Sequence, residues 1–105
     1  MAFSKANEFD QELSELAQFA KAISHPARIQ ILKHIAQKKA CICNDIVKEL
    51  PLSQSTVSQH LKSLKEAGLI KGRVKPPSIC YCIDKKKFEK INIKIKTLFS
   101  DVCEC

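Results

Sequence analysis

Six cysteines stand in three pairs with one residue between the members: Cys41/Cys43, Cys80/Cys82 and Cys103/Cys105. Thiolates are soft donors, so this repeat suits a soft, thiophilic ion or oxidation between pairs better than a hard cation. A bridge inside one C-x-C pair would be strained, and C-x-C is not the usual zinc-finger spacing. Cys41 and Cys43 lie where an extended approach would turn both sulfurs one way and Ile42 inward. Cys43 also sits at the cap of a predicted helix, where the helix dipole favours the thiolate. His25, His34 and His60 are scattered over three segments and add no ligand cluster. With two glycines, no phosphate loop and no Ser/His/Asp arrangement, the chain offers an enzyme nothing to work with.

A second chemistry is written between Ser53 and Gly68. Val57, Leu61 and Leu64 recur at steps of four and three and so share one face of a helix. Gln54, Ser55, Ser58, Gln59, Lys62 and Lys65 project elsewhere, all hydrogen-bond donors or cations. Ser53 suits the N-cap and Gly68 the position after the C-cap. Amide, hydroxyl and ammonium groups in front of an apolar back fit a DNA major groove. An ordinary amphipathic surface helix has the same pattern, so the neighbouring elements must decide.

The elements that position these groups follow from periodicity. Phe9, Leu13, Leu16, Ala20 and Ile23 predict a first helix over residues 7–24, with Phe19 off the stripe and widening its apolar arc. Ser24-His25-Pro26 breaks it, and a second helix to about Gln37 buries Ile31, Leu32 and Ile35. A short third helix from Asn44 to Leu50 ends at Pro51, so residues 44–67 read as a helix-turn-helix. After Gly68 the period drops to two. The segment 69–83 predicts a hairpin with Ile79, Tyr81 and Ile83 inward, Cys80 and Cys82 on the accessible opposite face, and Lys75-Pro76-Pro77-Ser78 as the loop. Such a hairpin, with Arg73 and Lys75 outward, would serve as a wing over phosphates. Asp84 caps a last helix over residues 84–105, striped by Phe88, Ile91, Ile95, Leu98 and Val102 and widened by Ile93 and Phe99. First and last helices thus carry more apolar surface than a small core needs, which predicts a homodimer built from both.

At 105 residues the chain is read as a single domain, 1–105. Its formal charge of +7 is uneven: residues 1–20 carry a net −3 and the remainder +10, which suits a polyanion partner. No run of eighteen apolar residues predicts a membrane span, and the amino end lacks the apolar core of a signal peptide. A cytoplasmic protein with mostly reduced thiols is expected.

The order of elements, with AKAISHPARIQIL (residues 20–32), CICNDIVKELPLSQSTVSQHLKSLKEAGLIKG (residues 41–72) and the strand CYCI, resembles the ArsR/SmtB-type metal-sensing repressors. The resemblance covers about residues 15–85. It implies a mainly α winged helix-turn-helix of five helices and a two-stranded wing, dimeric through its first and last helices, and a repressor released from its operator by a toxic metal or metalloid. The DNA-binding residues it implies are Ser53, Gln54, Ser55, Thr56, Ser58, Gln59, His60, Lys62 and Lys65, with Arg73 and Lys75 on the wing. His60 reads equally as a half-buried histidine bonded within the domain. The partner would be double-stranded DNA carrying an inverted repeat.

Members that sense arsenite and antimonite have a C-x-C leading into the same helix, so Cys41 and Cys43 are the candidate ligands. A third cysteine often follows three residues later; here that position is Ile46. A third donor must come from Cys80, Cys82, Cys103 or Cys105. The last helix lacks the D-x-H and H-x-x-[EH] patterns of the family's zinc site, which leaves As(III), Sb(III) or another soft ion as inducer and no constitutive cofactor. Thiol-redox switching, inert cysteines, and a protein-interaction or metal-carrier module without DNA binding are the alternatives.

Overall fold

Ser53 and Gly68 set the bounds of the central helix. The Ser53 hydroxyl accepts from the Thr56 amide at 3.3 Å, and the helix runs Gln54–Glu66. Its end is a Schellman motif: Gly68 takes φ 80°, its amide donates to the Lys65 carbonyl, and the Leu69 amide donates to the Leu64 carbonyl. A Cβ at Gly68 would meet only Lys87 Cε, at 3.8 Å, so backbone conformation rather than space demands glycine there.

The structure is a computed structural model that describes residues 9–38, 50–75 and 78–104. Within them the order is α1 (Gln11–Ala22), α2 (Pro26–Lys38), α3 (Gln54–Glu66), β1 (Ile70–Lys75), β2 (Ser78–Ile83) and α4 (Lys85–Cys103). These are four helices and one antiparallel hairpin. The expected short helix at 44–50 lies outside the described residues, apart from Leu50, which is buried.

The core gathers where the stripes meet. Ile31 and Ile35 of α2, Val57, Leu61 and Leu64 of α3, Leu69, Ile70 and Ile91 of α4 form one buried cluster with Ala22 and Leu50. Each such aliphatic side chain contributes about 1.5–3 kcal/mol on burial. α2 and α3 therefore match their predicted inward residues, with Leu32 only half-buried.

The terminal helices depart from prediction. α1 begins at Gln11 with Asp10 as its cap, so Phe9 precedes the helix and is exposed, as are Leu13 and Ala20. Phe19, expected off the stripe, instead meets Phe88 edge-to-face with centroids 6.1 Å apart. Aromatic reach from the flank, rather than the regular step, joins α1 to α4. On α4 Ile91 is buried and Phe88 and Ile95 half-buried, while Ile93, Leu98, Phe99 and Val102 remain exposed. Glu15 and Lys94 form an ion pair between the two helices.

In the hairpin Ile70 pairs with Ile83, Gly72 with Tyr81 and Val74 with Ile79; Lys71 pairs with Cys82 and Arg73 with Cys80. Pairing continues through Lys75 and Ser78, one residue further on each side than the sequence suggests. The alternation is as predicted, but its burial is not. Cys80 is 1% exposed, whereas Val74 and Ile79 at the far end are open to solvent and Tyr81 is half-buried. β2 packs against α2 and β1 against α3; on the Ile70 face burial falls from Ile70 at the base to Val74 and Ile79 near the tip. No helix among the described residues is long and apolar enough to cross a membrane.

Candidate nucleic-acid interface

The first turn of α3 begins with two hydroxyls gathered on that of Ser53. Ser53 Oγ lies 2.9 Å from Thr56 Oγ1 and 3.2 Å from Ser55 Oγ. Gln54, Ser55, Ser58, Gln59, Lys62 and Lys65 are exposed, and Thr56 is half-buried. Since Val57, Leu61 and Leu64 fix the opposite side in the core, the polar face cannot turn inward without exposing three aliphatic side chains. Arg73 on β1 is exposed as well; the Lys75 side chain lies outside the described residues.

Two groups of α3 behave differently from the rest. Lys65 lies over the hairpin: a Cβ added at Gly72 would come 3.2 Å from its Nζ. His60 is not an outward phosphate contact. It is 8% exposed, and its Nδ1 accepts from Arg28 Nε at 3.1 Å. Of the two readings open for His60, the bonded, buried one holds, because its position beside Leu61 faces the start of α2. Burial, His25 and Arg28 all hold its imidazole below the ordinary histidine range.

Arg28 was not apparent as a site residue in the sequence. It stands three residues after His25, but nothing in that spacing points to a partner 32 residues later on α3.

The thiols divide into three cases. Cys41, Cys43 and Cys105, which include both first-choice metal ligands, lie outside the described residues. Cys80 and Cys82 are disulfide-bonded, contrary to the expectation of thiols on an accessible face. Burial of Cys80 follows from β2 packing on α2, which alternation alone could not reveal. Cys103 is a free, exposed thiol at the end of α4. Among the described residues no group of three or more His, Cys, Asp or Glu side chains could hold a metal ion.

A polar-faced helix locked on an apolar core, followed at once by a two-stranded hairpin with cations outward, defines a winged helix-turn-helix regulator. Residues 25–71 match the family described as bacterial regulatory protein, arsR family. The chain is 31% identical over 78 residues to the arsenical resistance operon repressor of Staphylococcus xylosus, covering 74% of each. It belongs to the ArsR family, whose members are DNA-binding transcriptional regulators and not enzymes. Solved structures share its fold. An ArsR-like regulator from Rhodococcus superposes with a TM-score of 0.73 at 22% identity, over 88% of this chain and 86% of that one. A homodimeric winged helix-turn-helix DNA-binding domain from Mycobacterium bovis does so at 0.67 and 22% identity, over 89% and 88%.

Proposed function

We infer that this ArsR-family repressor reads its operator with α3 and steadies itself on the phosphates with the hairpin. The observation that carries the reading is the exposed row Gln54, Ser55, Ser58, Gln59 and Lys62 on a helix whose back is fixed in the core. Gln54 and Gln59 suit base edges, since an amide can bond adenine through both its atoms. Ser53, Ser55, Thr56 and Lys62 suit the sugar-phosphate backbone, as do Arg73 and Lys75. Lys65, drawn over Gly72, supports the hairpin more than the groove. One domain spans the chain in this reading, with 44–67 as helix-turn-helix and 69–83 as wing, working in the cytoplasm.

The working unit is a homodimer. Ile93, Leu98, Phe99 and Val102 on α4, with Leu13 on α1, leave an apolar surface that a second copy would cover. The Mycobacterium bovis neighbour is described as homodimeric. Two copies of α3 would then meet half-sites about 34 Å apart or a multiple, hence an inverted repeat. Affinity for duplex DNA should fall with salt at a log–log slope of about 0.9 per phosphate contact. Binding that ignores salt, or no binding to the protein's own upstream region, would remove this reading.

Release is assigned to the cysteines. In the first version Cys41 and Cys43, with a third sulfur from Cys80, Cys82, Cys103 or Cys105, take As(III) or Sb(III), as the arsenical repressor's name suggests for that relative. Three cysteine thiols would replace the three hydroxyls of As(OH)3, each thiol proton leaving with a hydroxyl as water. The second version is a redox switch, and the disulfide state of Cys80 and Cys82 favours it. Each disulfide takes up two electrons and two protons on reduction, and only the reduced sulfurs can hold a metalloid. Arsenite that releases the reduced protein from DNA, but not the oxidised one, supports the first. Release by an oxidant such as diamide, reversed by dithiothreitol with arsenite silent, supports the second.

A further inference from the structure

Around His60 four pieces of the fold are tied by side chains. Arg28 donates from Nε to His60 Nδ1 at 3.1 Å and from Nη1 to the Ala22 carbonyl at 3.2 Å. His25 Nδ1 accepts from the Ala27 amide at 3.0 Å and so caps α2. The two imidazoles lie with centroids 4.6 Å apart, tilted by 46°. The end of α1, the turn, the first turn of α2 and the middle of α3 thus meet at one cluster.

The hydrogen-bond directions settle the protonation state. A guanidinium Nε–H and a backbone N–H can only donate, so both Nδ1 atoms must present lone pairs. His60 is therefore neutral with its proton on Nε2. A second proton would have to go on Nδ1, the atom that holds Arg28. It would replace an acceptor with a donor and set a cation against a guanidinium, with His60 itself only 8% exposed. The charged and titratable groups acting on His60 are Arg28 of α2 and His25 of the turn; no carboxylate among the described residues compensates.

We propose that Arg28 and His60 form a latch that holds α3 at its reading angle, and that protonation of His60 at Nδ1 opens it and lowers sequence-specific DNA binding in mild acid. Arg28 and His60 act here as positioning residues, since neither needs to touch DNA. The proposal rests on α3 being the reading element. It predicts the reverse of the general trend, because a basic protein gains positive charge in acid and should bind a polyanion more tightly.

The test uses the full chain with two duplexes, one selected by the protein from a random pool and one scrambled, at pH 7.5 and 5.5. Wild type should lose about tenfold in the ratio of selected to scrambled affinity on acidification, the scale expected for a charge-assisted hydrogen bond. His60→Asn keeps an acceptor near the Nδ1 position without a titrating proton, and should hold the neutral-pH ratio at both pH values. Arg28→Met should show the acid-like ratio already at pH 7.5 while keeping salt-dependent binding to the scrambled duplex. A wild-type ratio that stays level or rises in acid overturns the latch, as does a His60→Asn protein that remains equally pH-sensitive.

Nitrogen-15 imidazole spectra of the wild type follow the latch without any variant. His60 should pass from the Nε2–H tautomer to the doubly protonated form as the amides of α3 shift. If no duplex is selected and scrambled binding ignores salt, the DNA reading itself fails. The spectra then judge the latch alone, and titration of His60 with α3 unmoved overturns it.

Discussion

Ser53 and Gly68 show what single residues contribute to the candidate reader. Loss of the Ser53 cap in Ser53→Ala should destabilise the fold by about 1 kcal/mol in urea unfolding. Gly68→Ala should cost about 1–2 kcal/mol through its φ of 80°, since the added methyl meets only Lys87 Cε, at an ordinary contact distance. His60 adds a pH term. Its folded value is depressed, so its contribution is fully present above about pH 6.5 and is lost as pH falls through the folded value. The urea midpoint should therefore drop in mild acid for wild type and less so for His60→Asn. On DNA, Gln59→Ala should cost about 1–3 kcal/mol on the preferred sequence and relax preference at one base, whereas Lys62→Ala should weaken all sequences alike. Binding titrations against base-substituted duplexes separate the two.

Among elements, α3 was legible from cap to cap because every determinant is local: a capping serine, a period of 3.6 and a glycine that must turn left-handed. The hairpin was legible in position and alternation but not in burial. Its inward side depends on α2, far earlier in the chain, and no pattern within ICYCI (residues 79–83) could choose between Cys80 and Ile79. The same limit applies to His60. Helical spacing places it beside Leu61, but only Arg28 on another helix makes it a bonded interior group rather than a phosphate contact. α1 starts later than its apolar stripe predicts, because Asp10 takes the cap and leaves Phe9 behind. Arg73→Ala should lower affinity for every duplex and reduce the salt slope by about 0.9, with no change in preferred sequence.

For the whole molecule, the exposed apolar residues of α4 are the strongest lever on the proposed homodimer. Phe99 is 61% and Ile93 67% exposed, so replacing either with Glu removes little from the folded core. Sedimentation should then report a monomer whose thermal unfolding is scarcely altered, and affinity should fall most on two-half-site DNA. An unchanged dimer would relocate the interface. The joint between reader and wing carries one last consequence. The Leu69 amide bonds back to Leu64 at the end of α3, while its carbonyl receives the Asp84 amide that opens α4. Lys65 crosses Gly72 above the same joint. On the proposed interface, α3 and the hairpin therefore behave as the two jaws of a caliper with a locked screw. Such an instrument gauges groove width as well as letters, so duplexes that differ only in stiffness between contacted positions should differ in affinity.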